Sequence, residues 1–159
     1  MIAPTHLESI QDVIDRLAII EKVALYAGAM DRRDWEYYRT IFDDKVEISF
    51  PASTPAAEDG PRTAEEWVSL VYQTLTKFTH THHMIANHIV TIEGDDAACQ
   101  SHMVARHYDK SPDVESGWII GGFYTHRLRK VSGEWKICGV KLHDTWEQGA
   151  DVRDRVFAS

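Results

Sequence analysis

The second half of the chain holds four long runs in which apolar and β-branched residues recur at every second position. They cover about His83–Ile92, Ala97–Tyr108, Gly117–Lys130 and Trp135–Trp146. Period-two alternation is the signature of strands with one buried face. Glu93-Gly94-Asp95 and Val131-Ser132-Gly133 are short turn sequences, so they join their flanking runs as antiparallel hairpins. Lys110 to Ser116 is a longer connection. Four such strands form a curved sheet that must cover one face with something else, and the first half of the chain supplies helices.

Ser9 to about Gly28 reads as an amphipathic helix, with Ile10, Val13, Ile14, Leu17, Ile20, Ala24 and Ala27 at steps of three and four. One more turn of that stripe reaches Asp31, on the side predicted to be buried. An unpaired charge there is costly. Either the carboxylate has an internal partner, or the helix breaks at Gly28 and exposes it. Asp34 can cap a short second helix with Trp35, Tyr38, Ile41 and Phe42 on its apolar side. Val46–Phe50 alternates as a strand ended by Pro51, and Pro51 to Arg62 reads as a surface loop, a candidate lid. Thr63-Ala64-Glu65-Glu66 is a capping box that opens a third helix, and Arg153–Ala158 reads as a short terminal helix. Three helices followed by a long antiparallel sheet predict an α+β fold with one concave face. A length of 159 residues without repeat or linker predicts a single domain, 1–159.

The net charge of −8 argues against nucleic acid and against an anionic membrane surface, both of which need a basic face. No run is long enough to cross a bilayer. The first residues lack the basic and apolar parts of a signal peptide, which makes a cytoplasmic protein the expectation. Cys99 and Cys138 show neither metal nor redox spacing and read as buried thiols.

Chemistry concentrates in Thr79–His88, which holds four of the nine histidines: His80, His82, His83 and His88. Imidazole exchanges protons near neutral pH, and works best when a carboxylate accepts its other N–H. Asp31 is a candidate for that carboxylate. There is no nucleophile elbow and no thiol in a reactive context, so a His–Asp pair points to proton abstraction. A metal site is disfavoured because no Glu-x-x-His spacing or cysteine ligand joins the cluster. Along the strands, Ile85, Asn87 and Ile89 share one face. Gln100, His102, Val104 and Arg106 share another, as do Trp118, Ile120, Gly122, Tyr124 and His126. Periodicity does not say which faces are concave. Gly121-Gly122 inside a run predicts a bend or a close approach.

These motifs carry a resemblance. Ala29-Met30-Asp31-Arg32-Arg33-Asp34-Trp35, His82-His83-Met84-Ile85-Ala86-Asn87, Gly121-Gly122-Phe123-Tyr124-Thr125 and Gly133-Glu134-Trp135-Lys136-Ile137 resemble the SnoaL-like branch of the nuclear-transport-factor-2-like superfamily. The chain is most similar there to scytalone dehydratase, the bile-acid 7α-dehydratases and hexachlorocyclohexane dehydrochlorinase. The resemblance implies a cone-shaped α+β barrel with one deep apolar pocket and a homo-oligomer, dimer or trimer. It implies Asp31 and His83 as the catalytic pair, and His102 as a second active-site histidine. It also marks departures. Two pocket tyrosines of scytalone dehydratase correspond to Met30 and Phe50, and its pocket serine and asparagine to Gly122 and Tyr124. The substrate-polarising groups therefore differ, and Tyr124, His102 or Asn87 could replace them.

The expectation is a cofactor-independent lyase acting on a small hydrophobic, cyclic hydroxy-carbonyl compound, with Asp31, His83 and His102 catalytic and Met30, Phe50, Asn87 and Tyr124 lining the site. The alternatives are an isomerase or cyclase using the same pair, and a non-catalytic binding module.

Overall fold

The structure is a computed structural model, and it describes residues 9–51, 59–109 and 117–158. Its elements are α1 (Ile10–Arg32), α2 (Trp35–Thr40), β1 (Phe42–Ser49), β2 (Gly60–Thr63), α3 (Ala64–Leu75), β3 (His80–Glu93), β4 (Asp96–Tyr108), β5 (Gly117–Val131), β6 (Glu134–Gln148) and α4 (Ala150–Ala158). The expected α+β architecture is present. Six strands form one sheet in the order β2-β1-β6-β5-β4-β3. β1 runs parallel to β6, and every other neighbouring pair is antiparallel. The sheet curves into a cone and stays open, with β2 and β3 at its edges. Both short turns close hairpins as predicted, Gly94 and the Ser132-Gly133 pair supplying the positive φ that tight hairpins need.

α1 differs from its prediction in phase. Its sheet-facing stripe is Ile19, Val23, Tyr26 and Met30, whereas Ile10, Val13, Ile14 and Leu17 are exposed. The stripe was hidden because it starts with charged residues. Asp15 accepts hydrogen bonds from the Trp135 indole N–H at 2.9 Å and from Lys130 at 2.8 Å. Arg16 donates to the Val90 carbonyl at 3.1 Å. Satisfied polar groups at the interface thus leave the more apolar face of the first turns outward. The helix does not stop at Gly28. It runs to Arg32 and is closed by Arg33 in the left-handed conformation (φ 60°).

Gly60-Pro61-Arg62, predicted as loop, pairs with β1 instead. Pro61 fits because β2 is an edge strand, where a missing N–H breaks no ladder. The remainder of the candidate lid, 52–58, lies outside the described residues.

Gly121 and Gly122 serve both predicted purposes. The ladder to β6 shifts register between them, and the partner strand comes too close for any side chain. A Cβ on Gly121 would lie 2.0 Å from the Trp146 ring, and one on Gly122 would lie 2.1 Å from the His143 carbonyl oxygen. The second obstacle is backbone, which cannot step aside. Gly122→Ala should therefore lower unfolding free energy by about 1–3 kcal/mol, measured by urea denaturation. A change within about 0.5 kcal/mol, the range of a neutral surface substitution, would show that this corner is soft.

Candidate active site

Asp31 lies in the last turn of α1 and faces the start of β3. One carboxylate oxygen accepts the His83 ring Nδ1–H at 2.7 Å and the Thr81 hydroxyl at 2.9 Å. The other accepts the His83 backbone N–H at 2.7 Å. The side chain of His83 is 4% exposed and that of Asp31 20%. Burial would raise the Asp31 carboxyl, but the ring, amide and hydroxyl donors outweigh it and hold the group below the usual carboxylate value. An ionised carboxylate only accepts. Its contact with Nδ1 therefore puts the imidazole proton on that nitrogen, and Nε2 is left with a free lone pair.

His83 opens onto a cavity of about 70 Å³. The walls come from α1, α3 and the concave sheet face, with Met30, Trp67, Leu75, Met103, Ile120 and Leu142 among them. Among the described residues, neither lysine nor arginine lines it. α4 closes one end by packing Val152 and Val156 on Phe78, Trp118 and Ile120.

Of the residues singled out from the sequence, His83, Met30, Phe50 and Tyr124 line this cavity, and Asp31 stands directly behind His83. His102 does not reach it. The inward face of β4 is Cys99, Ser101, Met103, Ala105 and His107, so His102 is exposed on the outer face with its ring 4.7 Å from Phe123. Asn87 is also exposed. β3 shifts register between Ala86 and Ile89, and Asn87 occupies that bulge at φ 55°. The bulge turns His88 inward, where Nδ1 lies 2.7 Å from the buried Ser101 hydroxyl. His80 and His82 are exposed.

The histidine that does join His83 is His107. Its ring centroid is 5.6 Å from that of His83 at 86°, and it stacks on Trp118 at 4.5 Å. Nδ1–H donates to the Trp118 carbonyl at 3.2 Å, which leaves Nε2 unprotonated. Burial, and then the neighbouring His83, push the His107 imidazolium down to about 3. It is a neutral acceptor at working pH. The sequence carried a signal for it, since Cys99, Met103 and Ala105 mark the more apolar face of β4 and His107 continues that face.

Among the described residues, no cluster of three or more His, Cys, Asp or Glu side chains is placed to hold a metal. No helix is long and apolar enough to cross a membrane.

Residues 11–141 match the SnoaL-like domain. The chain belongs to the SnoaL-like family. Over 138 residues it is 27% identical to the dehydratase cfoI of Aspergillus candidus, covering 80% of each chain. The protein Kfla4162 from Kribbella flavida superposes with a TM-score of 0.81 at 26% identity, covering 90% of this chain and 99% of that one. A candidate scytalone dehydratase from Novosphingobium aromaticivorans gives 0.75 at 21% identity, covering 87% and 89%. These relatives place the SnoaL-like chain in the nuclear-transport-factor-2-like superfamily, among lyase-type proteins that include dehydratases.

Two buried histidines make the fold acid-sensitive. Burial holds both His107 and His126 at about 3, whereas an unfolded chain binds those protons near 6.5. Between those values the unfolded state carries more protons, so stability is full above about 6.5 and falls with pH toward 3. The melting temperature should drop steadily from pH 6.5 to 4, and His126→Leu should flatten the slope. An equal slope in the variant would remove His126 from this account.

Proposed function

We propose that this protein is a dehydratase that removes water from a neutral, hydrophobic, cyclic β-hydroxy ketone. The observation that carries this reading is the Asp31–His83 pair opening onto an apolar cavity. His83 Nε2 takes the proton from the carbon beside the carbonyl. The C–H electron pair moves toward the carbonyl and gives an enolate. The enolate then re-forms the carbonyl as a carbon–carbon double bond forms and the β-hydroxyl bond breaks. The His83 imidazolium returns its proton to the departing hydroxyl, and water leaves. Asp31 fixes the tautomer and stabilises the imidazolium in between. His107, a neutral acceptor, takes a hydrogen bond from the hydroxyl and turns an oxygen lone pair toward His83.

The cavity supports a neutral substrate, because no lysine or arginine among the described residues lines it and an unpaired anion in an apolar site is costly. Met30, Phe50 and Tyr124 shape the walls. The relatives called dehydratases support a lyase over the alternatives, and the chemistry above calls on no cofactor.

A panel of cyclic β-hydroxy ketones, read by product mass, tests this. Loss of water is expected, and His83→Ala and Asp31→Asn should each cut turnover about a hundredfold or more. A product of unchanged mass would make the protein an isomerase. Unchanged rates in both variants would remove the pair from the chemistry, and no turnover of any ketone by the wild type would leave a binding module.

A further inference from the structure

Four hydrogen-bond donors, each from a different element, cluster beside the cavity, and all but the fully buried Tyr38 line it. They are Tyr26 of α1, Tyr38 of α2, Trp67 of α3 and Tyr124 of β5. Tyr26 packs between the other two tyrosines, with ring centroids 5.6 Å from each. The Tyr26 hydroxyl neighbours those of Tyr38 and Tyr124, and the Tyr38 hydroxyl neighbours the indole N–H of Trp67. Burial, first among several causes, holds all three phenols well above their ordinary value, so they remain O–H donors.

The cluster cannot satisfy itself. The Tyr38 hydroxyl and Trp67 Nε1 are buried, and neither makes a hydrogen bond of ordinary geometry. Even if every neighbouring pair linked up, the run Trp67–Tyr38–Tyr26–Tyr124 has three links for four donor hydrogens, so one hydrogen has no acceptor within the run. Trp67 is only 3% exposed, yet it lines the cavity with Tyr26 and Tyr124. A buried donor without an acceptor is costly, and such groups persist where a ligand supplies the missing partner. Tyr124 also lies near enough to feel the Asp31 charge, which ties this wall to the proton-transfer site.

We infer that Trp67, Tyr26 and Tyr124, backed by Tyr38, form a donor pole that binds the ketone oxygen of the ligand. On the dehydratase reading, which this inference deepens, the same pole holds the enolate oxygen while His83 carries the proton. The phenols donate hydrogen bonds and do not ionise. They therefore stabilise the transient anion without becoming a second acid. This places the polarising groups beside the positions of Met30 and Phe50 and not at them: Tyr26 precedes Met30 by one turn of α1, and the Phe50 ring lies 5.4 Å from Trp67 and 6.4 Å from Tyr124.

The test compares 2-naphthol with naphthalene, one ring system with and without a polar oxygen, by fluorescence titration of the intact protein. Tyr124→Phe and Trp67→Phe should each weaken naphthol binding about tenfold, the equivalent of one hydrogen bond of roughly 1.4 kcal/mol. Naphthalene affinity should hold, which shows that the cavity is intact. In the wild type the bound naphthol should ionise at lower pH than in either variant. Unchanged naphthol affinity, or a parallel loss for both probes, overturns the donor pole. His83→Ala separates this inference from the dehydratase reading. If the naphthol contrast fails while His83→Ala still abolishes water loss, only the pole is wrong. If the contrast holds while no ketone is dehydrated, only the reaction is wrong.

Discussion

The contact between Asp31 and the start of β3 is the constraint on which the site depends. One carboxylate gathers a ring N–H, a backbone N–H and a hydroxyl from Thr81 and His83. Together these offset the cost of taking a charge out of water. The same bonds fix where α1 ends against the sheet, and they point the free nitrogen of His83 into the cavity. The cone supplies the other half of the arrangement. Its concave face and its helices surround His83 with apolar walls, so a proton moved there meets little competing water.

The fold class, the hairpins, the strand positions and the helix caps were legible because each rests on local chemistry. Alternation marks strands, and Ser9, Asp34 and Thr63 mark helix starts with side chains that cap their own backbones. The phase of α1 was not legible. Hydrophobicity ranks Ile10 and Leu17 above Asp15 and Arg16, and only the tertiary partners Trp135, Lys130 and Val90 make the charged residues the inner ones. β2 was hidden for a similar reason, since Gly60-Pro61-Arg62 reads as turn until an edge position makes proline harmless.

Within the site, the dilemma posed by Asp31 was visible in the sequence: a carboxylate on a buried stripe needs a partner. The inward face of β4 was signalled only by its apolar residues Cys99, Met103 and Ala105, and the resemblance favoured His102 on the opposite face. One extra residue in β3 likewise reverses the face expected for Asn87 and brings His88 inside instead. Tyr26, Tyr38 and Trp67 read simply as core aromatics. Their polar ends gain meaning only when three helices and a strand bring them together beside the cavity.

The central claim is that Asp31 holds His83 with its proton on Nδ1 and a basic lone pair on Nε2. Nitrogen-15 NMR of the labelled His83 ring, taken where the imidazole is neutral, reads this directly. A protonated Nδ1 and a bare Nε2, lost in Asp31→Asn, is the predicted result. A neutral ring carrying its proton on Nε2 in the wild-type protein would contradict it.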